Sequence, residues 1–295
     1  MFRGAITALV TPFKDGKLDN EALEKHIRWQ IAQGIDGILA CGTTGETPAL
    51  VEDEQEEVIS TAVRLAKEAK RKVPVIAGAG TNSTSKSVKE VKRVKELGAD
   101  AALVVTPYYN KPSQEGLFRH FAEIAKGTDL PLIIYVIPGR TGVNMLPSTI
   151  DRVSGEFNNI VAVKEASGNL DQVSELVSRC GDRIAVMSGD DSLTLPIMSV
   201  GGKGVISVVS NIVPYDTANM VRFYEQHEFT QALTLHQKLF PLVKALFLET
   251  NPGPVKAATG ILGINSGELR LPLAPVSDEN FEKLRAAIEK YGIVV

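Results

Sequence analysis

The stretch "NIVAVKEASGN", residues 159–169, ends an apolar run, Ile160 to Val163, on Lys164. A lysine placed there loses hydration, and burial lowers the pKa of an amine. A neutral amine at neutral pH is a nucleophile toward carbonyls and forms a Schiff base. The structural alternatives are a pair with the adjacent Glu165 or a lysine reaching to a rim. Adjacent strand residues point to opposite faces, so a direct Lys164–Glu165 pair is geometrically poor. Perturbed lysines concentrate at functional sites, which is why Lys164 is the leading candidate.

Other residues could serve the same chemistry. Tyr135, inside "LIIYVI", is either a core aromatic with its hydroxyl satisfied or an acid/base for a carbinolamine at Lys164. "GTTGE", residues 42–46, is either a turn or an anion site, where backbone N–H groups and threonine hydroxyls hold a carboxylate. Phosphate suits it less, because no glycine–lysine P-loop accompanies it. Arg140, after "PG", is either a surface arginine or a bidentate carboxylate clamp. "GAGTNST" (78–84) lacks the acidic residue of a dinucleotide site. His26, His120, His227 and His236 fall in helix-like segments without metal-ligand spacing, so no metal site is expected.

These residues need elements to position them. Eight short, continuously apolar runs recur: 5–10, 37–42, 73–78, 101–106, 132–137, 160–165, 184–189 and 204–209. Continuous rather than alternating apolar character marks parallel strands covered on both faces. Helix-like stretches separate them, such as "DNEALEKHIRWQIAQG" with Leu23, Ile27 and Ile31 at four-residue spacing. Eight such units predict an α/β fold, a closed (β/α)₈ TIM barrel, with an open doubly wound sheet as the lesser possibility. Catalytic residues of such barrels sit where strands end, and Thr7, Thr11, Lys164 and "SGDD" (188–191) all fall there. Residues 225–295 carry no strong strand and predict a helical C-terminal extension on a catalytic barrel of residues 1–224. Pro241 should kink or divide the first long helix of that extension.

The bulk properties exclude several classes. The chain of 295 residues is 44% hydrophobic, with 32 Lys and Arg against 35 Asp and Glu, a net charge of −3. Nothing in that balance suggests a nucleic-acid or membrane surface. No apolar run nears the roughly 20 residues of a membrane span, and no secretory signal is expected. Two cysteines, Cys41 and Cys180, fit reduced thiols in a cytoplasm.

The motifs "GTTGE", "TPYYNKPSQEGL", "YVIPGRTG", "VKEASGNL", "SGDDSLTLP", "GVISVVSN" and "ETNPGPVKAA" follow in order over essentially the whole chain. As a set they resemble the dihydrodipicolinate synthase family of pyruvate-dependent class I aldolases. The resemblance implies condensation of pyruvate with aspartate-4-semialdehyde, in the diaminopimelate route to lysine, without a cofactor. Lys164 would form the imine, Tyr135 would pass protons, and Thr44 and Tyr109 would complete a hydroxyl relay. Tyr109 would reach into a neighbouring subunit, in a homotetramer built as a dimer of dimers. Backbone N–H groups of Thr43 and Thr44 would hold the pyruvate carboxylate, and Arg140 that of the semialdehyde. Gly189 and Ile206 match positions that line the site through backbone carbonyls.

Two departures stand out. Val136 follows Tyr135 where most relatives carry Asn, which bears on supporting hydrogen bonds rather than on the reaction. Glu52, Gln55 and Lys86 occupy positions that match the lysine-binding cluster of feedback-inhibited members, beside retained Asn82 and Tyr108. A cation at Lys86 repels an effector ammonium, so lysine feedback is expected to be weak or absent. The rival readings are a sister aldolase acting on sialic or keto-deoxy sugar acids and a catalytically dead barrel. Arg140, the paired Thr43 and Thr44 and "TPYYNKPSQEGL" argue against the first; intact Lys164, Tyr135, Thr44 and Tyr109 argue against the second.

Overall fold

The computed structural model describes residues 2–293. Each predicted run forms a strand: β1 (Gly4–Ala8), β2 (Gly37–Ala40), β3 (Val75–Gly78), β4 (Ala101–Val105), β5 (Leu132–Val136), β6 (Ile160–Glu165), β7 (Ala185–Ser188) and β8 (Gly204–Ser207). All eight are parallel and close in chain order into a barrel, with β1 beside both β2 and β8. Nearly every strand residue is buried, as continuous apolar runs covered on two faces require. The closure is tight at Gly204. A Cβ there would lie 2.0 Å from the carbonyl oxygen of Gly4, whose N–H donates to Lys203 O at 2.9 Å. Gly204 also has φ +137°, a region that side chains disfavour, so only glycine fits both demands.

The chain forms two compact units. One holds Pro74–Ile206 with the first residues up to Gly4; the other holds Ala5–Val73 and the chain from Ser207 onward. In the first, helices Thr84–Glu96, Gln114–Lys126, Pro147–Glu156 and Leu170–Cys180 follow β3 to β6. Ser113 and Asn169 cap two of them, accepting from Gly116 N and Gln172 N. Register within this unit sets the chemistry: Tyr135 of β5 lies opposite Lys164 of β6, and Lys164 opposite Met187 of β7.

In the second unit, helices Asn20–Ala32 and Glu52–Glu68 follow β1 and β2. The latter opens on Glu52, Asp53 and Glu54 and closes near Lys67, in accord with its dipole. Helices Pro214–Glu225, Phe229–Ala245, Gly253–Ile261 and Asp278–Tyr291 complete the unit. Pro241 does not divide its helix, which runs unbroken from Phe229 to Ala245. A proline removes one ladder hydrogen bond, and the buried side chains Ala232, Leu239, Leu242 and Val243 supply packing around the loss. His227 falls outside any helix, in a left-handed turn at φ +63°. One further element joins the unit, a hairpin of Phe13–Lys14 against Lys17–Leu18. Among the described residues no helix is long and apolar enough to cross a membrane.

Candidate active site

Lys164 ends one residue short of the β6 terminus and is 5% exposed. Its Nζ stands 4.2 Å from the centroid of the Tyr135 ring, as the β5–β6 register dictates. Burial pushes its pKa down to about 8; the Asp191 carboxylate opposes this and the Arg140 guanidinium reinforces it. Roughly a tenth of the amine is then neutral at pH 7, far more than for an ordinary lysine, and nucleophilic attack on a carbonyl needs that form. Space around the chain is kept by Gly189. A Cβ there would meet Ala166 Cβ at 2.7 Å, Glu165 O at 3.2 Å and Lys164 Cε at 3.2 Å.

Glu165 does not pair with Lys164. Strand alternation turns its carboxylate the other way, where Oε1 accepts from Ser167 N at 2.7 Å and Oε2 from Gln172 Nε2 at 3.1 Å. Gln172 is locked in turn by Asn144, through bonds of 2.7 and 3.2 Å. The buried carboxylate thus has its own partners and leaves the amine to the other face.

The same unit holds Arg140, Ile206, Val136 and Tyr109. Arg140 lies exposed in the single-turn helix Pro138–Thr141 after β5. Ile206 is buried within β8, and Val136, fully buried, accepts Ala166 N at 2.9 Å through its carbonyl. Tyr109 stands apart, its side chain 88% exposed and its backbone left-handed at φ +71°. Beside it, Asn110 Nδ2 donates to Asn82 O at 2.9 Å and pins the loop.

Thr43 and Thr44 belong to the second unit, in the 3₁₀ turn Thr43–Gly45 after β2. Thr44 is buried, and its hydroxyl accepts from Asn251 Nδ2 at 3.1 Å. Thr7 turns toward the helix Asn20–Ala32, donating to Gln30 Oε1 at 2.6 Å. It lies inside β1 rather than past its end, so it is a buried packing residue and not a rim hydroxyl. Thr11, in contrast, donates to Gly45 O at 2.7 Å and so braces the threonine turn. Sequence reasoning gave no role to Asp191 or Glu46, quoted only within "SGDD" and "GTTGE", nor to Asn251 or Lys256, quoted only within "ETNPGPVKAA". The last had a signal, since "GPVKAATGI" sets a lysine in an apolar helix much as "IVAVKE" sets one in an apolar strand. Among the described residues no cluster of three or more His, Cys, Asp or Glu could hold a metal ion. Both cysteines are buried thiols outside any disulfide among the described residues.

A buried amine with a lowered pKa, beside a tyrosine at the end of a strand of a parallel eight-stranded barrel, is what an imine-forming barrel enzyme requires. Comparison with known proteins gives the family. The profile of the dihydrodipicolinate synthetase family matches residues 1–291, and the chain belongs to that family. It is 51% identical to the 4-hydroxy-tetrahydrodipicolinate synthase of Syntrophobacter fumaroxidans over 295 residues, all of both chains. The crystal structure of dihydrodipicolinate synthase from Aquifex aeolicus matches with a TM-score of 0.96 and 48% identity, over 99% of each chain. That of the chloride-inhibited enzyme from Acinetobacter baumannii, complexed with pyruvate, matches with a TM-score of 0.96 and 43% identity over 100% of each chain.

Proposed function

We propose that the chain condenses pyruvate with L-aspartate-4-semialdehyde through a Schiff base on Lys164 to give 4-hydroxy-tetrahydrodipicolinate. The observation that carries this reading is the Lys164 amine, buried, lowered to about 8 and 4.2 Å from the Tyr135 ring. The family membership and the pyruvate complex of a relative support the keto acid as the first substrate.

Lys164 Nζ attacks the pyruvate carbonyl carbon, and the carbinolamine loses water to leave a protonated imine. The imine draws electrons from the adjacent methyl group, and loss of one of its protons gives the enamine. The enamine carbon bonds to the aldehyde carbon of the semialdehyde. The semialdehyde amine then closes onto the imine carbon and displaces Lys164. Tyr135 passes protons in the imine steps, with Thr44 and Tyr109 completing the relay. Hydroxyls move protons without adding buried charge. The N–H groups of Thr43 and Thr44 hold the pyruvate carboxylate, and Arg140 meets the semialdehyde carboxylate. Gly189 and Ile206 line the site through their carbonyls.

Tyr109 serves a neighbouring subunit in this reading. A left-handed aromatic residue costs about 1–2 kcal/mol, and such strain persists where function holds it. The exposure of its side chain supports an outward role. The active form is then at least a dimer, and the proposed assembly is a cytoplasmic homotetramer of two tight dimers. Lys86 and Gln55 support weak lysine feedback, since Gln55 already donates to Leu50 O at 3.2 Å. A saturable lysine inhibition curve at sub-millimolar concentration would refute that point.

Borohydride reduction with pyruvate tests the core of the proposal. A reduced pyruvate adduct on Lys164 is expected by mass spectrometry. An unmodified lysine would leave the binding-module alternative standing. A coupled assay of aspartate semialdehyde against sugar-acid substrates then separates the branches, and preference for a sugar acid would overturn the substrate assignment.

A further inference from the structure

The second unit carries a buried charge cluster that the reaction above does not use. Lys256 and Glu46 have side chains 0% exposed, with Nζ and Oε1 2.7 Å apart. Nζ also donates to Thr11 O at 2.8 Å and stands 4.1 Å over the Phe13 ring. The second oxygen of Glu46 accepts the backbone N–H of Arg270 at 3.0 Å. Arg270 in turn grips Glu54 with two bonds of 2.6 Å, donates to Ala49 O and stacks 4.1 Å over the other partner of Lys256, Phe13. The acid and base therefore have hydrogen-bond partners beyond each other.

Several of these anchors converge on one short loop. Glu46 is the residue directly after the Thr43–Gly45 turn and holds φ +53°, a conformation that non-glycine residues resist. Gly45 O is tied by the Thr11 hydroxyl, whose own carbonyl is tied by Lys256. Thr44 is tied by Asn251, which precedes the helix carrying Lys256. A buried ion pair gains little over an apolar pair of the same volume, because desolvation offsets the attraction. Its use here lies in direction: two carboxylate oxygens and one ammonium fix a left-handed loop in one geometry.

We infer that Lys256 and Glu46 are positioning residues that fix the Thr43–Thr44 turn for the keto-acid carboxylate, with Asn251 holding the Thr44 hydroxyl. This rests on the reading that the turn binds that carboxylate. Burial lowers the pKa of Lys256 and Glu46 opposes that, but its Nζ is already committed to Glu46 at 2.7 Å and Thr11 O at 2.8 Å, which assigns it to positioning rather than to attack on a carbonyl.

The test replaces both charges at once, Lys256→Met with Glu46→Leu, so that no buried charge is left alone. The double variant is expected to fold, and the amides of Thr43–Glu46 to exchange hydrogen faster than in wild type while β6 amides do not. The KM for pyruvate should rise about ten- to a hundredfold, as small misplacements of binding groups do. The KM for semialdehyde should hold, and borohydride trapping on Lys164 should still go to completion at saturating pyruvate. If that double variant does not fold, Lys256→Met with Glu46→Gln, which keeps the shape of Glu46 and an acceptor for Arg270 N and also leaves no buried charge alone, gives the same readouts with a smaller expected rise. Wild-type exchange rates in the loop of a folded variant would overturn the inference, and so would a loosened loop with an unchanged pyruvate KM. Absence of any pyruvate adduct in the wild-type enzyme would instead bring down the keto-acid reading, while the exchange data still decide whether the pair holds the loop.

Discussion

Lys164 and Lys256 both leave water for apolar surroundings, and what faces each amine decides its use. Lys256 has a carboxylate at 2.7 Å; Lys164 lies between the opposed fields of Asp191 and Arg140, with burial as the larger influence. The reactive form of Lys164 is the free amine, so kcat/KM for pyruvate should climb with pH and level off above about 8. Arg140→Ala removes a charge that lowers the pKa and should move that limb to higher pH; Asp191→Asn removes one that raises it and should move the limb lower. A pH–rate series on the three proteins checks the order, and a wild-type limb near lysine's ordinary 10.5 would contradict the burial argument. Gly189→Ala tests space rather than charge. The added methyl group meets Ala166 and Lys164 Cε inside van der Waals contact, and overpacking costs typically 1–3 kcal/mol. Thermal unfolding should show lower stability, and trapping by borohydride should slow; normal trapping in a destabilised variant would mean that Lys164 does not feel the glycine.

At the scale of elements, β6 shows how one strand serves two environments. Its inner face offers Lys164 and its outer face Glu165, bound to Ser167, Gln172 and through Gln172 to Asn144. Gln172→Leu would leave one carboxylate oxygen without its side-chain donor, at a cost of about 1–3 kcal/mol. Chemical denaturation should register that loss with the Lys164 limb unmoved; a shifted limb would show that the two faces communicate. The strands were legible because parallel, doubly covered strands have to be continuously apolar, and all eight runs said so. That Tyr135 and Lys164 lie on neighbouring strands followed from their order, whereas the register that sets them opposite each other came only with the structure. The hairpin was overlooked although "KDGK" carries the Asp-Gly signal, with Asp15 at φ +52° and Gly16 at φ +75°. Two-residue strands give no periodicity to read. Asn251 and Glu46 were illegible for a different reason: they act across 207 and 210 residues of chain, on Thr44 and Lys256, and no local pattern encodes such partners.

For the molecule as a whole, the open question is where Tyr109 works. Bulk charge gives no answer, since −3 over 295 residues favours no particular partner. The loop does bear on it: a strained, 88% exposed tyrosine is poorly placed for a buried relay in its own subunit. A two-fold interface would exchange this residue reciprocally between subunits. Lys164→Ala and Tyr109→Phe should each abolish most activity, the second with little change in thermal stability because only a hydroxyl is removed and the ring is kept. Mixed after unfolding and refolding together, the two variants form hybrid dimers. In each hybrid, the subunit with intact Lys164 receives intact Tyr109 from its partner, and the other site has neither. Random pairing makes half the dimers hybrid, so about a quarter of wild-type sites should return. If Tyr109 serves its own subunit, no hybrid site has both residues, and activity in the mixture stays at the sum of the two parents.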